Sequence, residues 1–296
     1  MSYENPRNLP GERPQKIEVS GDSYVFVRGQ RGDASAIYKS TNAFMRIGKT
    51  DKIARDLAIH KKMEQAGFPV AKLISEGELD GQSYFIETSL GDNHLGEVFA
   101  QDVEQGGSID SQTFDEFVSL AEAYAEAQIR TDNGDRDANA LREGILLEAL
   151  CEEMPTYAEK LQERFEEVQK NTKNLPSVLT HGDFNPNNLY REGVIDLEDS
   201  FYAPYGYDLV SAITHINYFP DSQEYEYFAK YRFTVDQQRK YFERLDAVSQ
   251  RAGLVPLSPL QEDFEFCRAV WLAAKIPHVP KLQKFRFDMV VEKFLS

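Results

Sequence analysis

Asp183, Asn188 and Asp196 are the residues of this chain whose types and spacing best fit a chemical task. Asp183 and Asn188 lie on one polar loop between the apolar runs Val178-Leu-Thr180 and Leu189-Tyr190, and Asp196 closes the next run. A turn centred near Glu192-Gly193 would fold Asp196 back beside Asn188. Carboxylate and amide oxygens are hard donors that suit magnesium, which keeps waters and takes phosphate oxygens as further ligands. Phosphoryl transfer uses such a set: metal ions neutralise the nucleotide phosphates, and a separate carboxylate orients or deprotonates the acceptor hydroxyl. Asp183 takes the acceptor role here, with Asn188 and Asp196 on the metal. Taken singly, each would serve as well to satisfy turn amides in an ordinary polar loop.

His181-Gly182-Asp183, Asn188 and Ile195-Asp196-Leu197-Glu198 together resemble the signatures of the aminoglycoside phosphotransferase and choline kinase family, which has a protein-kinase-like fold. The likeness runs from about Tyr24 to Leu209 and only loosely through the C-terminal helices. It implies ATP and Mg2+ as cofactors, and transfer of the γ-phosphoryl group to a hydroxyl of a small molecule such as an aminoglycoside or another amino-bearing metabolite. By the same likeness His181 supports the catalytic loop, and Asp208 is the structural Asp that begins a helix. Capping that helix's N-terminal amides would be a sufficient task for it. A nucleotide-binding pseudokinase serving as an interaction module is the alternative, and the intact Asp183, Asn188 and Asp196 set argues against it. A protein kinase would show a fuller glycine loop and an Ala-Pro-Glu segment, neither of which is present.

On the nucleotide side, the resemblance places Arg46 at the third-strand position that contacts phosphates and Asp56 at the acidic position on the following helix. Asp56 is shorter than the usual Glu, so the pair requires close packing or a bridging water. An Arg fork holds phosphate oxygens in bidentate fashion, so the role survives the exchange from Lys. Lys39 on the preceding strand is the second candidate. Gly29, Gly32 and Ser35 sit in the first hairpin and would bring backbone amides near the phosphates, although an ordinary hairpin explains them equally. The segment Phe85-Ile-Glu-Thr-Ser-Leu90 should cross to the next lobe, and the resemblance implies that backbone atoms near Glu87 and Ser89 bind a purine. Backbone contacts leave no side-chain mark of the base; ATP is expected and GTP stays open. Gly48-Lys49-Thr50 lacks the opening glycine of a P-loop, because Ala43 stands there.

Glu198, Asp199, Tyr202, Tyr205, Tyr207 and Trp271 are the candidate acceptor contacts. Acidic groups would pair with an amine, and aromatic faces would attract a cationic acceptor. Trp271 also fits a plain core position within the apolar run Ala269-Val-Trp-Leu-Ala273.

The elements that position these residues are legible in outline. Ser23–Arg28, Ala36–Lys39 and Ala43–Ile47 read as an antiparallel meander. A helix follows, capped by Thr50 or Asp51 and stopped by Gly67 and Pro69. Val70–Ile74 and Gln82–Glu87 complete the sheet, with Gly77 and Gly81 in the turn between them. Phe114, Phe117, Ala121, Tyr124 and Gln128 share a helical face. A long helical region from 140 to 170 is interrupted at Pro155, and helices dominate from Asp208 onward, including Asp221–Gln250 and Phe264–Lys275. The expectation is an α+β, protein-kinase-like bilobal fold. Residues 1–87 form the small antiparallel-sheet N-lobe with one main helix. Residues 88–296 form the larger, mostly helical C-lobe, and 88–111 serve as hinge and linker.

The composition narrows the function classes. With 49 Asp and Glu against 33 Lys and Arg, the 296-residue chain carries a formal charge of -16, and its 41% hydrophobic content is that of a folded protein. Such a surface repels nucleic-acid phosphates. No apolar run reaches membrane-spanning length, and Met1–Pro6 lacks the basic start of a signal peptide, so a cytoplasmic location is expected. Cys151 and Cys267 stand far apart and read as inert thiols. None of the five histidines forms a compact zinc pattern.

Overall fold

A computed structural model describes residues 13–29, 35–135, 138–275 and 279–296. Two compact units emerge: Met1–Asp92 with Glu192–Leu197, and Asn93–Arg191 with Glu198–Ser296. In the first unit, β1 (Lys16–Val19), β2 (Asp22–Gly29), β3 (Ser35–Lys39), β4 (Ala43–Gly48), β5 (Leu73–Leu79) and β6 (Gln82–Thr88) form one antiparallel sheet in the order β1-β2-β3-β4-β6-β5. The alternation of the strands separates two faces. Tyr24, Ala36, Tyr38, Met45, Ile47 and Ile86 gather with Ile17 and Val19 into a buried apolar cluster. On the opposite face Arg46 is registered against Ile37 on one side and Phe85 on the other.

Helix α1 (Thr50–Ala66) buries Ile53, Asp56, His60 and Met63, and Gly67 ends it in the left-handed conformation at φ 80. Neither Thr50 nor Asp51 caps it. Lys49 occupies the cap position without a side-chain bond, and the Thr50 hydroxyl oxygen instead accepts from Ser83 Oγ at 3.1 Å. The fifth strand begins at Leu73 and runs further than the sequence suggests. Gly77, expected in the turn, lies within it, paired with Tyr84, where an added Cβ would meet Tyr84 Oη at 2.7 Å. Asp80 and Gly81, at φ 50 and 76, make the turn alone.

The second unit comprises α2 (Leu95–Gly106), α3 (Ser111–Ile129), α4 (Ala138–Gly144), α5 (Leu147–Glu153), α6 (Ala158–Thr172), β7 (Ser177–Leu179), β8 (Leu189–Tyr190), β10 (Tyr202–Pro204), α7 (Tyr207–Thr214), α8 (Val235–Arg251), α9 (Gln261–Lys275) and α10 (Pro280–Phe294); β9 (Gly193–Val194) belongs to the first unit. The stretch read as hinge and linker therefore holds a helix, α2. His94 caps it by accepting the Glu97 amide, and Leu95 and Phe99, four residues apart, are buried. In α3 the buried face includes Phe114, Phe117, Ala121, Tyr124 and Gln128, as its periodicity requires. The region after 140 breaks at Leu146, which sits at φ 61, as well as at Pro155. Strand β7 pairs antiparallel with β10. Helix α8 starts at Val235 rather than Asp221, behind a capping box of Thr234 and Gln237. Arg232 holds the preceding segment out of helix by donating to the carbonyls of Ile216 and Phe219 and to Asp221. Among the described residues no helix is long and apolar enough to cross a membrane.

Candidate active site

The loop after β7 is held from behind by one carboxylate. Fully buried Asp208 accepts the amides of His181 at 2.7 Å and Gly182 at 3.1 Å, and also Tyr124 Oη at 2.8 Å and Gln128 Nε2 at 3.0 Å. Asp208 is thus not a helix cap. Gly206 precedes α7 without a side-chain cap, and the Asp208 oxygens serve the loop. Burial pushes the Asp208 carboxyl above its ordinary value against the opposing pull of His181 and these donors. Thr180 adds two bonds to the Phe201 carbonyl, at 2.8 Å from its amide and 2.7 Å from its hydroxyl. Gly182 adopts φ 79, and a Cβ on it would collide with the Asp199 carbonyl oxygen.

His181 is fully buried, and its Nδ1 accepts the Asp183 amide at 3.2 Å, so the ring shapes the turn. Phe184 anchors the loop by stacking on Tyr124 with ring centroids 4.1 Å apart. Between these fixed points the Asp183 carboxylate is surrounded by donors. Asn185 Nδ2 reaches Oδ1 at 2.8 Å, Asn188 Nδ2 reaches Oδ2 at 3.1 Å, and Arg268 Nη2 reaches Oδ1 at 2.5 Å. Asn188 also donates to the Asp183 carbonyl at 2.9 Å, which leaves its own side-chain oxygen as an acceptor.

Asp196 belongs to the first unit, whereas Asp183 and Asn188 belong to the second. It has the left-handed backbone of φ 66, uncommon for a residue with a side chain. Arg46 Nη2 lies 3.2 Å from its Oδ1 and Arg28 Nη2 lies 3.5 Å from its Oδ2. Arg46 also meets Asp56 directly, Nη1 to Oδ2 at 3.3 Å, and Lys52 takes the other Asp56 oxygen at 2.9 Å. One guanidinium therefore joins the two acidic positions. Lys39 instead pairs with exposed Asp92 at 3.1 Å and lies over the Phe44 ring. Ser35 is buried at the start of β3 and Gly29 ends β2; Gly32 lies outside the described residues.

In the expected purine segment the Ser89 amide donates to the Asn42 carbonyl at 2.8 Å, and the Thr88 amide donates to the Lys72 carbonyl at 2.9 Å. The Glu87 carboxylate lies 3.3 Å from His60 Nδ1, while His60 Nε2 meets the Ala71 carbonyl at 2.7 Å. Burial disfavours the charged ring, but Glu87 and the carbonyl outweigh it and raise the His60 pKa.

The acceptor candidates divide. Glu198 and Asp199 lie half-buried on a short helical turn, and Tyr202 lies half-buried on β10. Asp199 is ion-paired with Lys275. Tyr205 and Tyr207 are fully buried, with Tyr205 Oη accepting from Ser249 Oγ at 3.3 Å, so neither phenol offers a surface to an acceptor. Trp271 is 5% exposed, and its ring already receives the Arg268 guanidinium at 4.3 Å and the Lys275 ammonium at 4.8 Å. The cation sites read as open to an acceptor at Asp199 and Trp271 are thus occupied by cations of α9. Sequence reasoning missed Arg268, Lys275 and Asn185. Arg268 carried a signal, a lone charge inside the otherwise apolar run from Phe266 to Ala273.

An antiparallel-sheet unit with one helix, followed by a helical unit presenting an Asp-bearing loop, is the fold of the kinase-like phosphotransferases. The chain belongs to the phosphotransferase enzyme family, whose match spans residues 19–248. Among solved structures, a ligand-free thermostable mutant of the aminoglycoside phosphotransferase APH(4)-Ia is similar at a TM-score of 0.57 and 13% identity, covering 94% of this chain and 95% of that one. A Plasmodium vivax ethanolamine kinase gives 0.58 at 12% identity, over 90% of this chain and 81% of its own. A choline/ethanolamine kinase family protein from Mesorhizobium loti gives 0.56 at 13%, over 92% and 88%. Another structure of the APH(4)-Ia mutant is a ternary complex with ADP and hygromycin B. No curated protein matches the chain.

Proposed function

We propose that this chain transfers the γ-phosphoryl group of ATP to a hydroxyl of a small molecule. The observation that carries the reading is the Asp183 carboxylate, fixed by Asn185, Asn188 and Arg268 on a loop clamped through Asp208. In the reaction the acceptor oxygen forms a bond to the γ-phosphorus as its proton passes to Asp183. The bond from phosphorus to the bridging oxygen breaks, and ADP leaves with that electron pair. Asn188, through its side-chain oxygen, and Asp196 are the residues that fit magnesium, as hard donors whose coordination phosphates and waters complete. The ion would supply charge neutralisation on the nucleotide phosphates.

Arg46 is the phosphate contact, oriented by Asp56 and Asp196. Lys39, held by Asp92, remains second. Ser35 and backbone atoms near Glu87 complete the nucleotide side, while the paired amide of Ser89 favours its carbonyl over its N–H. Glu198, Asp199 and Tyr202 face the acceptor. An amino-bearing acceptor that meets Asp199 competes there with Lys275. Nucleic acid is disfavoured as a substrate by the acidic surface, and a cytoplasmic setting would supply the nucleotide.

The test is to incubate the protein with Mg-ATP or Mg-GTP and a panel of aminoglycosides, amino alcohols, sugars and nucleosides, with Asp183→Asn as control. One phosphate added to an acceptor, only by the unaltered chain, establishes the activity and names the class. Nucleotide binding with no transfer would favour a pseudokinase.

A further inference from the structure

We propose that Arg268, reaching from α9 with its guanidinium fully buried, is a positioning residue that fixes Oδ1 of Asp183 and leaves Oδ2 to face the acceptor hydroxyl. The inference rests on the proposed function and assigns the two oxygens of its central carboxylate different tasks.

A charged residue in this place needs a reason. Its neighbours Phe264, Phe266, Cys267, Ala269, Val270, Leu272 and Ala273 are all buried, and an apolar side chain would avoid the cost of desolvating a cation. The fork is spent on the loop. Nη1 donates to the Gly182 carbonyl at 3.3 Å, and Nη2 lies 2.5 Å from Asp183 Oδ1 and 2.6 Å from His215 Nδ1. Arginine only donates, so His215 accepts at Nδ1 and carries its proton on Nε2. Burial, with the nearby charges of Arg268 and Arg286, holds the His215 ring well below its ordinary pKa and thus neutral. Trp271 closes one side of the guanidinium, 4.3 Å away. Nε is buried without a hydrogen-bond partner among the described residues, which a side chain oriented for its own satisfaction would avoid. The orientation serves Asp183 at the expense of that donor.

The oxygens then differ. Oδ1 accepts from both Arg268 and Asn185, whereas among the described residues Oδ2 accepts from Asn188 alone, at 3.1 Å. An oxygen with one donor retains a lone pair for an incoming hydroxyl. Nη2 on the other oxygen, held in place by the Nη1 bond to the Gly182 carbonyl, restricts rotation of the carboxylate about its Cβ–Cγ bond.

The decisive experiment compares the unaltered chain, Arg268→Ala and Arg268→Lys with a turned-over acceptor, alongside Asp183→Asn. Loss of positioning is expected to lower kcat about 100-fold in Arg268→Ala while the KM for ATP stays within about twofold. Arg268→Lys, which keeps the charge but not the fork, should fall between, and millimolar guanidinium should restore part of the Arg268→Ala rate. A kcat in Arg268→Ala equal to or above that of the unaltered chain, or a loss in ATP KM alone, would overturn the proposal. If Arg268→Ala does not fold, the same comparison rests on Arg268→Lys. A readout without turnover separates this inference from the activity: the 13C resonance of the Asp183 carboxyl, assigned through Asp183→Asn. An unmoved resonance in both Arg268 variants would refute the contact even if the unaltered chain transfers no phosphate.

Discussion

Oδ2 of Asp208 accepts the main-chain amide of His181 at 2.7 Å, so a buried carboxylate beyond the loop sets the backbone from which Asp183 projects. Asp208→Ala would leave that amide, the Gly182 amide, Tyr124 Oη and Gln128 Nε2 without their acceptor in a fully buried space. Each orphaned donor carries a desolvation penalty, partly relieved by relaxation and water entry, and a total loss of about 3–5 kcal/mol is expected. Urea unfolding measures it; a loss below about 1 kcal/mol would show that the clamp is dispensable.

Gly182→Ala tests the same loop from its other side. Its φ of 79 disfavours any side chain, and the added Cβ would strike the Asp199 carbonyl oxygen, which is main chain and cannot swing aside. We expect a destabilisation of at least about 3 kcal/mol and loss of transfer activity. Thermal melting with an activity assay checks both.

The reach of the sequence follows from these cases. The sheet alternation, the face of α3 and the Asp183 to Asn188 loop were legible because period, turn residues and donor types are local properties. Asp208 was located by likeness but its task was misread, since capping is a local guess and its real partners lie up to 84 residues away. Gly77 misled because a strand glycine that admits a tyrosine ring looks, in sequence, like a turn glycine. Arg268 and Lys275 were missed altogether: which carboxylate a buried cation meets is decided by helix packing, and no short-range pattern encodes it.

Stability should depend on pH through His60 and His215 with opposite signs, and through His94, whose pKa burial also lowers, on the same side as His215. The folded pKa of His60 is raised, so its contribution is fully present below the unfolded value of about 6.5 and is lost as pH rises through the folded value. The folded pKa of His215 is lowered, so below about pH 6.5 only the unfolded chain takes up that proton and stability falls. Together they place a maximum near pH 6.5. Denaturant titrations from acid to alkaline pH should show His60→Gln flattening the alkaline limb and His215→Asn the acid limb. Unchanged limbs would contradict the assignments.

Arg46→Ala should act on nucleotide affinity more than on folding. Lys52 remains on Asp56 at 2.9 Å and Arg28 on Asp196 at 3.5 Å, so neither carboxylate is left without a cation. An ATP affinity at least about tenfold weaker is expected by calorimetry, with Arg46→Lys recovering only part of it for want of the fork. Unaltered affinity in Arg46→Ala would transfer the phosphate role to Lys39.

Helix α9 contributes Arg268, Trp271 and Lys275, spaced three and four residues apart and so sharing one side of its surface. Remodelling this helix to alter the wall near Asp199 would shift the partner of Asp183 in the same stroke. A single-residue insertion before Arg268 would turn the whole set by roughly 100° about the helix axis. Exchanging single residues around Arg268 would leave this set in register, whereas a change in the length of the helix ahead of it would not.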